Sequence, residues 1–273
     1  MTRKTFAWLL VAGLTSAAAW AQTADEIIEK HEKAMGGKDK IKAIQTERVT
    51  GKMVMGQGME APFTMEMARP NKMRMEFTIQ GMTGVQAFDG KTGWSVMPFM
   101  GKTDPEAAPE EEAKKMQEQA NMDGLLMDYK DFGRTVELVG KEDLEGTPVY
   151  KLKVTQKSGD VVYLYIDADQ YMLLKQTGKT KVRGQEIESE TVFGDFKTVD
   201  GLIFPYSIEQ KVPGMPGGMV MTVSKIELNP GVAESRFAMP APAEKKPAAP
   251  APEKKPDNPA PPKPPPPLTQ RQR

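Results

Sequence analysis

The chain has 273 residues, with 37 Lys and Arg, 37 Asp and Glu, one His and no Cys. A formal charge of zero without a basic excess argues against a nucleic-acid partner. The lack of Cys removes disulfides and thiolate metal sites, and a single His nearly removes Cys-His and Ser-His-Asp catalysis.

The two ends differ from the middle. Arg3 and Lys4 precede the apolar run Phe6 to Leu14, and Ala19-Trp20-Ala21 is a small-x-small cleavage site. This is the pattern of a secretory signal peptide over residues 1–21. The run is too short to span a bilayer comfortably, and no later stretch reaches that length. The mature chain, from Gln22, is therefore expected to be soluble, exported to the periplasm and not lipid-anchored. Residues 240–273 are almost wholly Pro, Ala, Lys and Glu and carry more than half of the 23 prolines. They predict a disordered, polyproline-like tail, either a passive solubilising segment or a basic spacer that touches an anionic surface. Residues 22–239 hold 28 Lys and Arg against 34 Asp and Glu, a net of −6, and are long enough for one sizeable core.

Thr23 to Met35 reads as a helix, with Thr23 and Glu26 spaced as a capping box and Gly36-Gly37 as its stop. A short second helix is expected over Lys38 to Ile44. His31 lies on the first helix, a position more typical of packing than of catalysis. From Val49 to Met100 the apolar residues alternate. Val49, Met53 and Met55 form one set, with Gly51 in phase; Phe63, Met65 and Met67 form a second; Met73, Met75, Phe77 and Ile79 form a third. A period of two means strands with one apolar face. These faces consist largely of Met, the most adaptable apolar side chain, so they suit either a core or a wall for a greasy ligand.

Val85 to Phe88 and Trp94 to Met97 form a further hairpin pattern around Asp89 to Thr92. Asp104-Pro105 is expected to open a charged helix running through Glu110 to about Met122, and Gly124 to Tyr129 a further helical turn. Strands follow over Val136–Val139, Val149–Thr155, Val161–Asp167, Tyr171–Thr177, Val182–Thr191, Val192–Thr198, Ile203–Val212 and Met219–Leu228, with Pro213 to Gly218 as the last long turn. Such spacing predicts an antiparallel sheet or barrel of consecutive hairpins.

No nucleophile–base pair, phosphate loop or dinucleotide fingerprint is present, so an enzyme is not expected and no cofactor is assigned. Glu186, Glu188 and Glu190 alternate on one strand face and read as solvated. Met53/Met55, Met65/Met67 and Met73/Met75 are M-x-M pairs, which could hold Cu(I), yet any amphipathic strand gives the same spacing.

Ala68-Arg69-Pro70-Asn71, Phe88-Asp89-Gly90-Lys91-Thr92-Gly93-Trp94 with Pro98-Phe99, and the closing Leu228-Asn229-Pro230-Gly231-Val232, Ser235-Arg236-Phe237 and Met239-Pro240 resemble the outer-membrane lipoprotein-sorting family, LolA and its relatives. The resemblance implies an α+β, mainly β fold: a half-open, curved antiparallel β-barrel over residues 22–239 whose mouth is covered by a helical lid. It implies a soluble carrier of lipid or lipoprotein acyl chains, a monomer that meets inner- or outer-membrane transport partners. An envelope sensor on the same fold is the alternative. The ligand wall would comprise Met53, Met55, Phe63, Met65, Met67, Met73, Met75, Phe77, Ile79 and Trp94, and Arg69 would couple lid and cavity.

Overall fold

The computed structural model describes residues 22–56, 58–182, 185–211 and 217–241. The leader expected over residues 1–21, nearly all of the tail expected over 240–273, and the turn residues Pro213 to Pro216 lie outside them.

Thirteen strands form one antiparallel sheet: β1 (Thr46–Met55), β2 (Met59–Ala68), β3 (Lys72–Ile79), β4 (Met82–Phe88), β5 (Gly93–Met97), β6 (Lys102–Ala107), β7 (Thr135–Leu144), β8 (Thr147–Thr155), β9 (Val161–Asp167), β10 (Leu173–Val182), β11 (Gln185–Val199), β12 (Leu202–Lys211) and β13 (Met219–Leu228). The order across the sheet is β6-β5-β4-β3-β2-β1-β13-β12-β11-β10-β9-β8-β7. It is two up-and-down meanders sewn together by one long-range pair, β1 with β13. β6 and β7 stay as free edges, so the barrel is half open. Its curvature is evident where Pro70 and Asn71 of the β2–β3 turn share a groove with Gln156 to Ser158 of the β8–β9 turn, though the turns belong to strands far apart in the sheet.

Three helices cover the inner face: α1 (Ala24–Ala34), α2 (Lys38–Ala43) and α3 (Glu110–Gln119). α1 begins with the expected capping box, in which the Glu26 amide donates to Thr23 Oγ1 at 3.2 Å and the Thr23 amide donates to Glu26 Oε2 at 3.1 Å. Ile27 and Ile28 pack with Leu152, Leu164 and Ile166 of β8 and β9. Each such fully buried side chain contributes roughly 1.5–3 kcal/mol. α3 sets Met116 and Ala120 on Met67, Met73 and Phe88.

Three expectations are corrected. Lys102–Ala107, where a helix was expected to open at Asp104-Pro105, is strand β6, and α3 starts only at Glu110, after Pro109. β6 is an edge strand, where a Pro costs no ladder bond toward a further neighbour. Gly124 to Tyr129 forms successive turns, not helix. The two strands expected over Val182–Thr191 and Val192–Thr198 are one 15-residue strand, β11.

Candidate ligand cavity and its lid

Residues paired across an antiparallel ladder share a face. Met65 of β2 pairs with Val49 of β1 and Met75 of β3, Phe63 with Gly51 and Phe77, and Met67 with Met73. The three alternating sets therefore meet on one face. Met53 and Phe63 are fully buried, with Met55, Met65, Met75, Phe77 and Ile79 half-buried around them. Phe204, Met219, Met221 and Val223 continue this cluster across β12 and β13. Met67 and Met73 form a second patch beneath α3. Gly51 lets the face close: a Cβ there would stand 2.2 Å from the Thr222 carbonyl oxygen and 2.8 Å from Phe63. At the far end Met55, Met59, Ile79 and Phe99 border an opening of 900 Å³.

Trp94 lies elsewhere. It pairs with Ala87, which pairs with Arg74, then Glu66 and Arg48. That row is on the opposite side of the sheet from the Met face. There Trp94 Nε1 donates to the Phe237 carbonyl at 2.8 Å, and the Arg74 guanidinium sits 5.4 Å from the ring centre. Arg236 Nε and Arg48 Nε donate to the buried Glu66 carboxylate at 2.8 and 3.0 Å. Trp94 thus holds the C-terminal segment against the back of the sheet. The register that places it there follows from the four-residue turn Asp89 to Thr92, which pairs Phe88 with Gly93.

Under the helices are two adjoining hollows that share Met35, Ile41 and Met122. The larger, 320 Å³, lies between α1, the Met122–Met127 turns and the β9–β11 wall, where Leu164, Leu173 and Phe193 face it. The smaller, 90 Å³, is bordered by Ile44, Glu47, Arg69, Leu202, Ile203 and Phe204.

Arg69 locks this roof. Its Nε donates to the Ile44 carbonyl at 2.7 Å and Nη2 to the Ile41 carbonyl at 3.2 Å, tying down the end of α2. Nη1 and Nη2 grip Asp123 at 3.0 and 2.7 Å, tying down the turns after α3. Lys42 reaches Asp123 at 2.8 Å. Arg134 adds a clamp on the same turns, donating from Nη1 to the Gly124 and Leu125 carbonyls at 2.9 and 3.2 Å.

Three residues of this region lie outside the set that alternation and the family resemblance pick out, and of them only His31 stands out in the sequence, as a packing residue. Asp123 is the carboxylate partner of Arg69. Burial works to raise its pKa, but hydrogen bonds from Arg69 and Lys42 hold it below the usual value. His31 lines the larger hollow, with Nδ1 2.7 Å from the Tyr171 carbonyl. Burial lowers its pKa against the opposing pull of that carbonyl, so the ring is neutral at pH 7. Glu47 lines the smaller hollow, and burial pushes its carboxyl up to about 7. Its sequence signal was present: Glu47 is two residues before Val49, in phase with Gly51 and Met53 on the apolar face. Among the described residues no group of three or more His, Cys, Asp or Glu could hold a metal, and no helix is long and apolar enough to cross a membrane.

No protein-family model and no curated protein matches the sequence. Solved structures do resemble the fold. A LolA superfamily protein from Nitrosomonas europaea is 14% identical with a TM-score of 0.53, over 80% of this chain and 98% of that one. A DUF1329 family protein from Desulfovibrio piger is 12% identical with a TM-score of 0.56, over 78% and 96%. A protein from Vibrio parahaemolyticus described as an outer membrane lipoprotein-sorting protein domain is 12% identical with a TM-score of 0.51, over 78% and 94%. At these identities the likeness shows the fold alone: this chain has the LolA-like architecture.

Proposed function

We propose that the protein is a soluble periplasmic carrier that binds the acyl chains of a lipid or lipoprotein and moves them through the bacterial envelope. The observation that carries this reading is the pair of adjoining hollows beneath a helical roof, one mainly apolar, with the roof held by one arginine that bonds α2 and the turns after α3 together. Nine of the ten residues expected to form a ligand wall share the inner face; none of them lines either hollow, and Met55 and Ile79 border the opening at the far end of that face. We assign the wall to Met53, Met55, Phe63, Met65, Met67, Met73, Met75, Phe77 and Ile79, and leave Trp94 out.

The chemistry is transfer of apolar surface, not bond making. Each methylene moved from water into the cavity gains about 0.8 kcal/mol. Met side chains rotate at low cost, so a face that packs on itself when empty can part around chains of different length. The exchange of Met–Met contacts for Met–acyl contacts is near neutral, which leaves the dehydration of the cargo as the driving force. Release then requires a membrane partner that favours the state with the Arg69 contacts broken. The lipoprotein-sorting description of the Vibrio protein, and the signal-peptide pattern of residues 1–21, agree with this setting.

The test is to export the full chain, purify it from the periplasm, extract it with organic solvent and analyse the extract by mass spectrometry, then titrate the delipidated protein with a fluorescent fatty acid. Co-purified acyl lipid and saturable binding support the reading. Protein that is repeatedly empty and binds no fatty acid overturns it.

A further inference from the structure

Glu47 breaks the apolar face of β1. It pairs with Met67 on one side and Leu228 on the other, so its carboxyl projects inward with those side chains. It lines the smaller hollow with Met35, Ile41, Ile44, Met122 and Phe204. Among the described residues it has no side-chain hydrogen bond and no ion pair. The Arg69 guanidinium borders the same hollow, but its N–H groups go to Asp123 and to the Ile41 and Ile44 carbonyls. Asp123 is matched further by Lys42. His31 and Glu32 belong to the adjoining larger hollow. From β2, β12 and β13 the neighbours Met67, Phe204 and Leu228 are apolar.

A carboxyl held among apolar side chains without a partner costs stability, and an apolar residue at position 47 would remove that cost. The two hollows share Met35, Ile41 and Met122: a larger, mainly apolar chamber that also carries His31, Glu32 and Asp123 lies beside a small one bordered by the Glu47 carboxyl. We propose that Glu47 is the head-group anchor of this cavity and that its ligand is an amphiphile whose head carries a protonated amine. The inference rests on the acyl-carrier reading. An anionic head would be repelled by the ionised carboxyl, and Arg69 has no free donor pair to attract it. A hydroxyl would gain one neutral hydrogen bond. An ammonium gains a charge-assisted bond, roughly twice as strong, at a carboxyl that is half-buried in the hollow. It also supplies the cation that the chain itself withholds from Glu47.

This assignment has a proton signature. Burial pushes the Glu47 carboxyl up to about 7, and a bound ammonium favours its ionised form and draws that value down. Ammonium binding therefore releases protons near neutral pH and tightens as the pH rises across that range.

The test is calorimetric titration of the delipidated full chain with three probes, decylammonium and decanoate below their micelle concentrations and decanol below its solubility limit. Measurements at about pH 6 and about pH 8 bracket the Glu47 value of about 7. At the higher pH decylammonium is expected to bind about tenfold more tightly than decanol, the low end for a charge-assisted hydrogen bond. The ratio should shrink at the lower pH. Glu47→Gln, which keeps the shape, should erase the ratio and leave decanol affinity within about twofold. Glu47→Asp, which keeps the charge one methylene further back, should retain part of it. The pH dependence of the wild type tests the proposal without any variant.

Equal binding of decylammonium and decanol by the wild type at both pH values overturns the proposal, as does a preference that survives in Glu47→Gln. Binding of all three probes without amine preference overturns the anchor and leaves the carrier reading standing. No binding of any probe overturns both.

Discussion

Arg69 and Asp123 meet in a two-point ion pair, 2.7 Å at one oxygen and 3.0 Å at the other, and the same guanidinium reaches the carbonyls at the end of α2. One planar side chain thus joins two covering segments and the β2–β3 turn. Lys carries the charge without the fork and cannot make all these bonds at once. Arg69→Lys should leave the sheet folded and raise amide exchange in residues 38–44 and 122–128 about tenfold. Arg69→Ala should cost about 2–4 kcal/mol in urea unfolding, because Asp123 then keeps only Lys42. The pH response follows from Asp123. Its folded pKa lies below the ordinary 3.8, so the pair's contribution is fully present above that value and is lost as the pH falls through the folded value. The part of the roof's amide protection that Arg69→Ala removes should stay flat from neutral pH down to about 4 and drop only in stronger acid, separate from the rise in stability that Glu47, with its carboxyl at about 7, brings as the pH falls below that value.

Gly93 sets the height of α3 above the sheet. A Cβ at this position would stand 2.5 Å from Met116 Sδ, 3.2 Å from Ala113 Cα and 3.3 Å from Ala108 Cβ. Met116 can swing aside, but the helix backbone must lift. Gly93→Ala should therefore destabilise the fold by about 1–3 kcal/mol. Faster exchange confined to Glu110–Gln119 is the expected pattern in exchange mass spectrometry. Uniformly faster exchange over the whole sheet would show that Gly93 supports β5 rather than the roof.

Arg236 is the bolt on the outer face. It donates to Glu66 at 2.8 Å and to Glu76 at 3.1 Å, and its own carbonyl accepts from Arg74 at 3.0 Å. Glu66 is only 3% exposed, so losing one of its two arginines strands charge in the sheet. Arg236→Ala should cost about 1–3 kcal/mol, less than a fully broken buried pair because Arg48 remains. Adding Glu66→Gln should cost less than the sum of the single changes. Trp94 reports on the same event: release of its bond to Phe237 lets water reach the indole and shifts its emission to the red.

The strands were legible because alternation is a strong local signal. Phe63, Met65 and Met67, and likewise Met73, Met75 and Phe77, lie on the face that their spacing predicts. The capping box at Thr23 and Glu26 was equally local. What the sequence hid was mostly non-local. Nothing near Asp104-Pro105 says that the segment will find an edge beside β5, and only that edge makes a Pro in a strand acceptable. The 15-residue β11 looked like two strands because it serves two environments, pairing with charged β10 residues at one end and with apolar β12 residues at the other. Trp94 carried a family-like motif, but a motif gives no face; the hairpin register does. Asp123 could not be matched to Arg69 from a separation of 54 residues. Glu47 is marked by phase alone, and a carboxylate at the start of an apolar stripe reads equally as a strand end.

The seam between β1 and β13 also fixes an order of events. Every other strand pair in the sheet joins neighbours in sequence, whereas Glu47 must find Leu228 and Val49 must find Ile226. Such long-range pairing is the slow step in assembling a sheet. Until Met219–Leu228 has arrived, each meander presents an uncovered Met- or Val-rich face and an open strand edge. The smaller hollow is then built in the same stroke that finishes the fold, since Glu47, Leu202 and Phe204 stand on the two sides of that seam. An unfinished chain therefore lacks the smaller hollow, and a head group bound there reports that the last strand is in place.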